Sequence, residues 1–481
     1  MKGKSRDFVI RWGLPALLAA GGVVLVWFWL WEFATYAVLP REPGADKRDE
    51  GRTGQVERSK EWLSEPLLES FAAVPQDGAG SWPCFRGPNY DGVSPEDIKL
   101  LRQLPSGGLK KLWQLSLGEG YAGPAVWGGM VYVLDYDTAR QADAVRCFRL
   151  SDGAEIWRYS YPVQVKRNHG MSRTVPAVAD GFVVSLGPKC NVVCLDALSG
   201  KHIWSIDLVE RYGAEVPLWY AGQCPRIEDG RAILAPGGDA LMIAVDCASG
   251  DVVWEAKNPA GWKMTHSSIL PITFGGRRMY VYCGSGGVAG VDAQTGEIVW
   301  SSDQWKLRTN IPAPVDLGDG RLFFSAGYNK GSMLMKLTEQ QGQIVAKIEW
   351  AVGPEVFGSD QQTPIFYSGH LYGVRPDEQL VCMDTSGKIL WASGGANKYG
   401  LGGYVIGDGL IFVLNDDGEL SCIQADSERF AVLWREKVLP GHESWGPPAI
   451  TAGRLLVRDL TEMVCLDVSA GSSVVEWDSQ K

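Results

Sequence analysis

The chain has 481 residues, a formal net charge of −10, 20 tryptophans, 59 glycines and 10 cysteines. That length allows one large domain with an ample core. The acidic balance, with no long basic run, excludes general electrostatic attraction to nucleic acid.

Residues 1–11 form a basic N-terminus in which Lys2, Lys4, Arg6 and Arg11 are opposed only by Asp7. The segment 12–31, from Trp12 to Trp31, is 20 residues without a charge. At about 1.5 Å per residue it matches the roughly 30 Å hydrocarbon core, which predicts a single transmembrane anchor. Basic flanks stay cytoplasmic, so the rest of the chain is expected in the periplasm, held at a bacterial inner membrane. The alternative is a cleaved signal peptide, whose apolar core is shorter, about 7–15 residues. Thr35-Tyr36-Ala37 is a weak cleavage site, and no cysteine precedes Cys84 to carry a lipid.

Residues 32–81 are charged and interrupted by Pro40, Pro43, Pro66 and Pro75, the pattern of a stalk. Trp62, Leu63, Leu67 and Leu68 predict a short amphipathic helix around Val56–Phe71. Residues 82–109 are a turn-rich lead-in that opens with Trp82-Pro-Cys-Phe-Arg-Gly-Pro-Asn-Tyr-Asp-Gly-Val-Ser94. Asp91-Gly92 marks its tight turn.

From 110 to 481 the chain repeats. Trp113, Trp157, Trp204, Trp254, Trp300, Trp350, Trp391 and Trp434 recur 41 to 50 residues apart. This period suits the four-stranded blade of a β-propeller. Most repeats open with a proline and a glycine five residues later, such as Pro124/Gly129 and Pro176/Gly181. An apolar strand, a polar turn, a strand ending near Asp, a Ser/Thr-Gly turn and the Trp strand follow. Seven repeats run from Pro124 to Trp434, and an eighth begins at Pro448 without a good Trp strand. Leu109–Leu117 is a Trp strand without a blade, so joining it to the last repeat predicts an eight-bladed ring closed by an N-terminal strand. Val474–Trp477 is the rival closing strand.

Cys147, Cys194, Cys382, Cys422 and Cys465 hold one place in five repeats, too far apart to bridge, and read as small packing residues. Cys190 and Cys194 share a hairpin, which leaves a bridge between them open. Gly284-Ser-Gly-Gly-Val-Ala289 fits a dinucleotide-binding fingerprint on paper, but the Trp strand follows it instead of a helix, so it reads as a hairpin turn. Asn415-Asp-Asp-Gly418 likewise reads as a turn. The five histidines show no metal-ligand spacing.

In a propeller the link from one blade's outer strand to the next blade's inner strand lies on a single face. Here these links carry polar and aromatic groups, and the binding candidates are Arg173, Tyr220, Gln223, His266, Asn310, Gln362, Tyr399, His442 and Trp445. Convergent polar groups beside stacking aromatics suit a protein or small-molecule ligand. The bland alternative is that they cap strands and line a wet channel.

The phrases Asp196 to Trp204, Asp246 to Trp254 and Asp292 to Trp300 share the pattern Asp-x-x-Thr/Ser-Gly-x-x-x-Trp. They resemble the pyrroloquinoline quinone-type repeat of quinoprotein alcohol dehydrogenase-like propellers, over residues 110–470. That family includes calcium- and quinone-dependent dehydrogenases as well as a non-catalytic propeller lipoprotein of outer-membrane protein assembly. The dehydrogenases hold their quinone beneath a disulfide of adjacent cysteines, with calcium bound by Glu, Asn and Asp. No two cysteines are adjacent here, Cys-x-x-Cys-His is absent, and no catalytic or metal residue carries over. The expected function is therefore a membrane-anchored, extracytoplasmic scaffold or ligand-binding module without catalysis. The alternative is a membrane-bound oxidoreductase that uses pyrroloquinoline quinone and calcium to oxidise an alcohol or sugar.

Overall fold

A computed structural model describes residues 21–27, 66–76 and 78–471. The chain divides into two compact units, Met1–Gln55 and Val56–Lys481. In the first, residues 21–27 are helical and exposed. The rest of the predicted span 12–31 lies outside the described residues, among which no helix is long and apolar enough to cross a membrane.

The second unit is built from eight antiparallel sheets. Six have four strands in sequence order, as in Arg226–Glu228, Arg231–Leu234, Ala240–Asp246 and Val252–Lys257. Short first strands lie innermost and adjoin those of neighbouring sheets. Ala125–Trp127, for example, touches both Ala177–Ala179 and Ala449–Thr451. The eighth sheet runs Ala449–Thr451, Arg454–Arg458, Glu462–Asp467 and then Lys110–Ser116. Lys110 faces Asp467 and Ser116 faces Glu462 in antiparallel register. Val474–Trp477 lies outside the described residues.

The repeated residues explain one another. Each tryptophan stands directly opposite a residue of its sheet's third strand. That residue is a cysteine for Trp157, Trp204, Trp391, Trp434 and Trp113, an alanine for Trp254, a glycine for Trp300 and the larger Leu334 for Trp350. A β-bulge follows at once in every case, which twists the outer strand. Most indoles then reach the next sheet. The N–H groups of Trp113, Trp204, Trp254 and Trp350 donate to the carbonyls of Leu150, Cys247, Ala293 and Thr385 at 2.8–3.1 Å. The carboxylate of Asp196, Asp246 or Asp292 caps the turn before the Trp strand by accepting backbone N–H groups. These aspartates are thus turn builders. All ten cysteines are buried, and Cys194 is a free thiol, so no bridge joins it to Cys190.

Two segments depart from the sequence expectation. Leu67–Ser70 is not helical but a strand, added to the outer edge of the first sheet against Glu155–Pro162. Residues 56–65 of the predicted helix lie outside the described residues. At 67–70 the apolar spacing allowed a helix, but a short solvated helix is marginal in water, whereas the free edge of Glu155–Pro162 supplies backbone partners. The lead-in does more than introduce the ring: it crosses it. Ser81–Trp82 pairs with Ala125–Trp127 in the first sheet, and Val178 N–H donates to Pro83 O at 2.8 Å in the second. The Arg226 guanidinium of the third lies 3.8 Å from the Tyr90 ring centroid. Arg86 donates to Thr363 O at 2.9 Å and Pro364 O at 3.0 Å beside the sixth. Ile406 N–H donates to Gly92 O at 3.0 Å in the seventh. Residues 81–94 therefore tie together inner strands from opposite sides of the ring.

Candidate binding face at the ring mouth

The links between sheets clasp one another around one face. Tyr121 N–H donates to Ser172 O at 2.6 Å, and the Asn168 amide donates to Leu218 O at 3.0 Å. His266 N–H donates to Asn310 O at 2.9 Å, and Ala313 N–H to Thr363 Oγ1 at 2.9 Å. The Gln362 amide donates to Leu401 O at 2.8 Å and to Trp445 O at 3.2 Å. Arg458, fully buried, donates to Ala122 O at 3.1 Å and closes the circle.

Within this frame the structure brings Arg173, Tyr220, His266 and Trp445 near one another. Arg173 lies over the Tyr121 ring at 5.0 Å from its centroid. Tyr121 in turn packs against Trp445 at 4.9 Å, and its hydroxyl donates to the Glu443 carboxylate. Burial pulls the Arg173 pKa down, while the nearby Tyr121, Glu443, Tyr220 and Tyr328 push it up. The guanidinium keeps one donor to Asn168 O at 3.1 Å, while its Nε–H has no partner. His266 sits beside Trp219, at 6.0 Å between ring centroids. Burial first, and then Arg173, pull its pKa down to about 4, against a hydrogen bond to the Tyr220 backbone. The imidazole is therefore neutral at physiological pH, and its Nε2 is unpartnered.

The remaining candidates serve the frame. Gln223 is fully buried and exchanges two hydrogen bonds with the Ala235 backbone, at 2.8 and 3.1 Å. Asn310 is also buried, and its Oδ1 accepts from Trp305 Nε1 at 3.1 Å while its Nδ2 has no partner. Gln362 braces two links. Tyr399 is packed in the core between the sixth and seventh sheets with Tyr372, Trp391 and Tyr404. His442 is exposed, and its backbone carbonyl accepts from Leu460 N–H.

Sequence reasoning missed Tyr121, Glu443 and Tyr328. Tyr328 lies on a hairpin of the fifth sheet, not on a link, yet it stacks on Trp219 at 6.0 Å with an interplanar angle of 19°. It stays 51% exposed, which leaves an aromatic surface for a partner to cover. Asp416, in the turn Asn415–Gly418, accepts from Trp445 Nε1 at 2.9 Å and so positions that indole.

The residues present do not fit a calcium–quinone pair. Among the described residues, no three His, Cys, Asp or Glu side chains gather as a metal site. No two of the ten cysteines are adjacent in sequence, so the adjacent-cysteine disulfide that the family's dehydrogenases use has no counterpart.

Comparison with known proteins agrees with this architecture. A family model described as outer membrane protein assembly factor BamB matches residues 141–393 and 376–481. BamB of Yersinia pestis is 22% identical over 389 residues, covering 76% of this chain and 91% of that protein. A quinone-dependent 1-butanol dehydrogenase of Thauera butanivorans is 29% identical over 174 residues, and that match spans only 26% of its length. Among solved structures, BamB from Moraxella catarrhalis superposes with a TM-score of 0.53 at 15% identity, over 75% of this chain and 99% of that one. That likeness concerns the fold alone.

Proposed function

The chain belongs to the family of outer membrane protein assembly factor BamB, among the pyrroloquinoline quinone-like repeat propellers, and from that premise we propose that it is a non-catalytic protein-binding scaffold. The observation that carries this reading is the mouth itself. Interlocked links present Trp219, Tyr121 and Trp445 around a buried arginine, and a hairpin of the fifth sheet adds Tyr328. Aromatic anchors next to an arginine are the side chains that dominate protein interfaces. The uncharged stretch 12–31 behind a basic flank supports a membrane anchor, with the propeller on the periplasmic side of a bacterial inner membrane. The lead-in that crosses the ring favours a rigid platform with a shallow face over an open tunnel.

The test is a photo-crosslinking amino acid at position 328 of the full chain in native membranes, with position 348 on the outer strand Gln343–Val352 as control. Ile348 is exposed to a similar degree, 43% against 51%, so access does not distinguish the two. A discrete adduct from 328 and none from 348 is expected. Equal labelling at both, or none at either, overturns the reading. The quinoprotein alternative, favoured by the partial match to the butanol dehydrogenase, predicts dye reduction with calcium, the quinone and an alcohol.

A further inference from the structure

Trp219 lies on the link after the second sheet and Tyr328 on a hairpin of the fifth, yet their rings stack at 6.0 Å between centroids. Tyr328 is 51% exposed, and Leu218, next to Trp219, is 43% exposed. A single exposed apolar residue is ordinary, but a joined strip from two elements presents surface for a partner to cover. Each member of the stack has lysines beside it. Next to Trp219, the Lys189 ammonium lies 5.1 Å from the centroid of the Tyr220 ring, and the Tyr220 hydroxyl donates to Lys166 O. Two residues past Tyr328, the Lys330 ammonium lies 5.0 Å from the Trp305 ring centroid and donates to Lys306 O at 3.4 Å. The ring faces hold these two ammonium groups in place.

Lys166 and Lys306 are exposed. Arg167 and Lys263 are already paired with Glu119 and Glu215, but among the described residues no carboxylate pairs with Lys166, Lys306 or Lys330. An acidic group lies elsewhere on the mouth. Asp377, Glu378, Asp416 and Asp417 belong to hairpins of the sixth and seventh sheets, and Arg375 and Lys398 pair with Asp377 and Glu378. The Asp360 carboxylate packs against Gly327 and bounds the strip there. Charge is thus divided across the mouth. An acidic segment is drawn to the sector of Trp219 and Tyr328 and repelled from the sixth and seventh sheets.

We infer that the strip of Leu218, Trp219 and Tyr328 docks an acidic segment of a protein partner, in which an apolar side chain is flanked by aspartates or glutamates. The apolar side chain covers the stacked rings. The flanking carboxylates meet Lys166 and Lys189 beside Trp219, and Lys306 and Lys330 beside Tyr328. Contact with the rings supplies most of the affinity, while the lysines add association rate, orientation and a dependence on salt. This deepens the scaffold reading and rests on it.

The full chain is titrated by calorimetry with N-acetyl-Asp-Glu-Phe-Glu-Asp amide, with the same peptide carrying Ala for Phe, and with N-acetyl-Lys-Lys-Phe-Lys-Lys amide. Saturable binding of the acidic phenylalanine peptide is expected, at least about tenfold tighter than either control. It should weaken about tenfold between about 50 and about 500 mM salt, as screening of exposed charges requires. The double variant Lys306→Glu/Lys330→Glu should weaken it about tenfold with an unchanged melting temperature, and Tyr328→Ala should do so by a similar factor. Equal affinity for the acidic and basic peptides, or no binding of any peptide at millimolar concentration, overturns the inference. Binding to phosphatidylglycerol vesicles in place of the acidic peptide, abolished by Lys306→Glu/Lys330→Glu, also overturns it and assigns the sector to lipid. The scaffold reading survives these results if position 328 still yields its adduct.

Discussion

Gly200 lies flat on the indole of Trp157, so close that a β-carbon at position 200 would sit 2.6 Å from Trp157 Cδ2. The glycine and tryptophan of the repeated phrase therefore meet across neighbouring sheets, not within one. Gly153 on Trp113, Gly250 on Trp204 and Gly296 on Trp254 repeat the contact. Gly200→Ala should cost about 2–4 kcal/mol, combining a positive-φ penalty with overpacking against the ring. Gly181→Ala, at φ +85° with open space around it, should cost only about 1 kcal/mol. Urea unfolding of both variants checks this, and equal costs would show that the indole contact is not what the glycine serves.

Arg86 is buried, and burial pulls its pKa down to about 10. Its four hydrogen bonds to backbone carbonyls fasten the lead-in inside the ring. Arg86→Gln should lower stability by about 2–4 kcal/mol, because carbonyls buried with it lose their donors. Limited proteolysis should then cut between 78 and 94, where the native chain resists. A variant that stays resistant would mean the lead-in is held by Trp82 and Tyr90 alone.

The eighth sheet gives a contrast between the two chain ends. Leu115 pairs with Met463, so Leu115→Pro removes a ladder donor and should cost about 3 kcal/mol or more. Truncation after Gly471 should leave the melting temperature within about 2 °C, because the fourth strand position is held by Lys110–Ser116. A large loss on truncation would instead assign a structural role to Val474–Trp477.

Buried Asp143 makes stability depend on pH. Burial pushes its carboxyl up to about 7, opposed by the Tyr161 hydroxyl at 2.6 Å and aided by Asp135. The folded chain holds this proton more tightly than the unfolded one, whose aspartate titrates near ~4. Its contribution is full below ~pH 4 and is lost as pH rises towards 7. His266, pulled down to about 4, acts oppositely, and costs stability as pH falls from ~6.5. Asp143→Asn removes only the first effect, so the variant should gain roughly 2 kcal/mol on the native chain between pH 4.5 and 7. A difference constant with pH would show that Asp143 does not titrate in that range.

The ring was legible because its repeat is over-determined. Most indoles stand opposite a small residue, and several cover a glycine of the next sheet and follow an Asp-capped turn, all of which recur in the sequence. The mouth was only partly legible. Arg173 and His266 lie on links, as the propeller connectivity requires, but Gln223 and Tyr399 lie there too and face inward. Polarity of a side chain does not distinguish a ligand from a brace. Tyr328 escaped because it reaches the mouth from a hairpin, and Arg86 because a turn-rich segment gives no sign of being threaded through a ring. Leu67 and Leu68 had helical spacing, which a free sheet edge overrode.

The most direct test of the mouth as the working surface is hydrogen exchange on the full chain, alone and in the complex captured through position 328. Added protection is expected at residues 119–123, 166–173, 217–223, 262–266 and 326–331, with the outer strands unchanged. Protection confined to outer strands such as Val252–Lys257 or Val432–Lys437, with the mouth exchanging as in the free chain, would contradict the account.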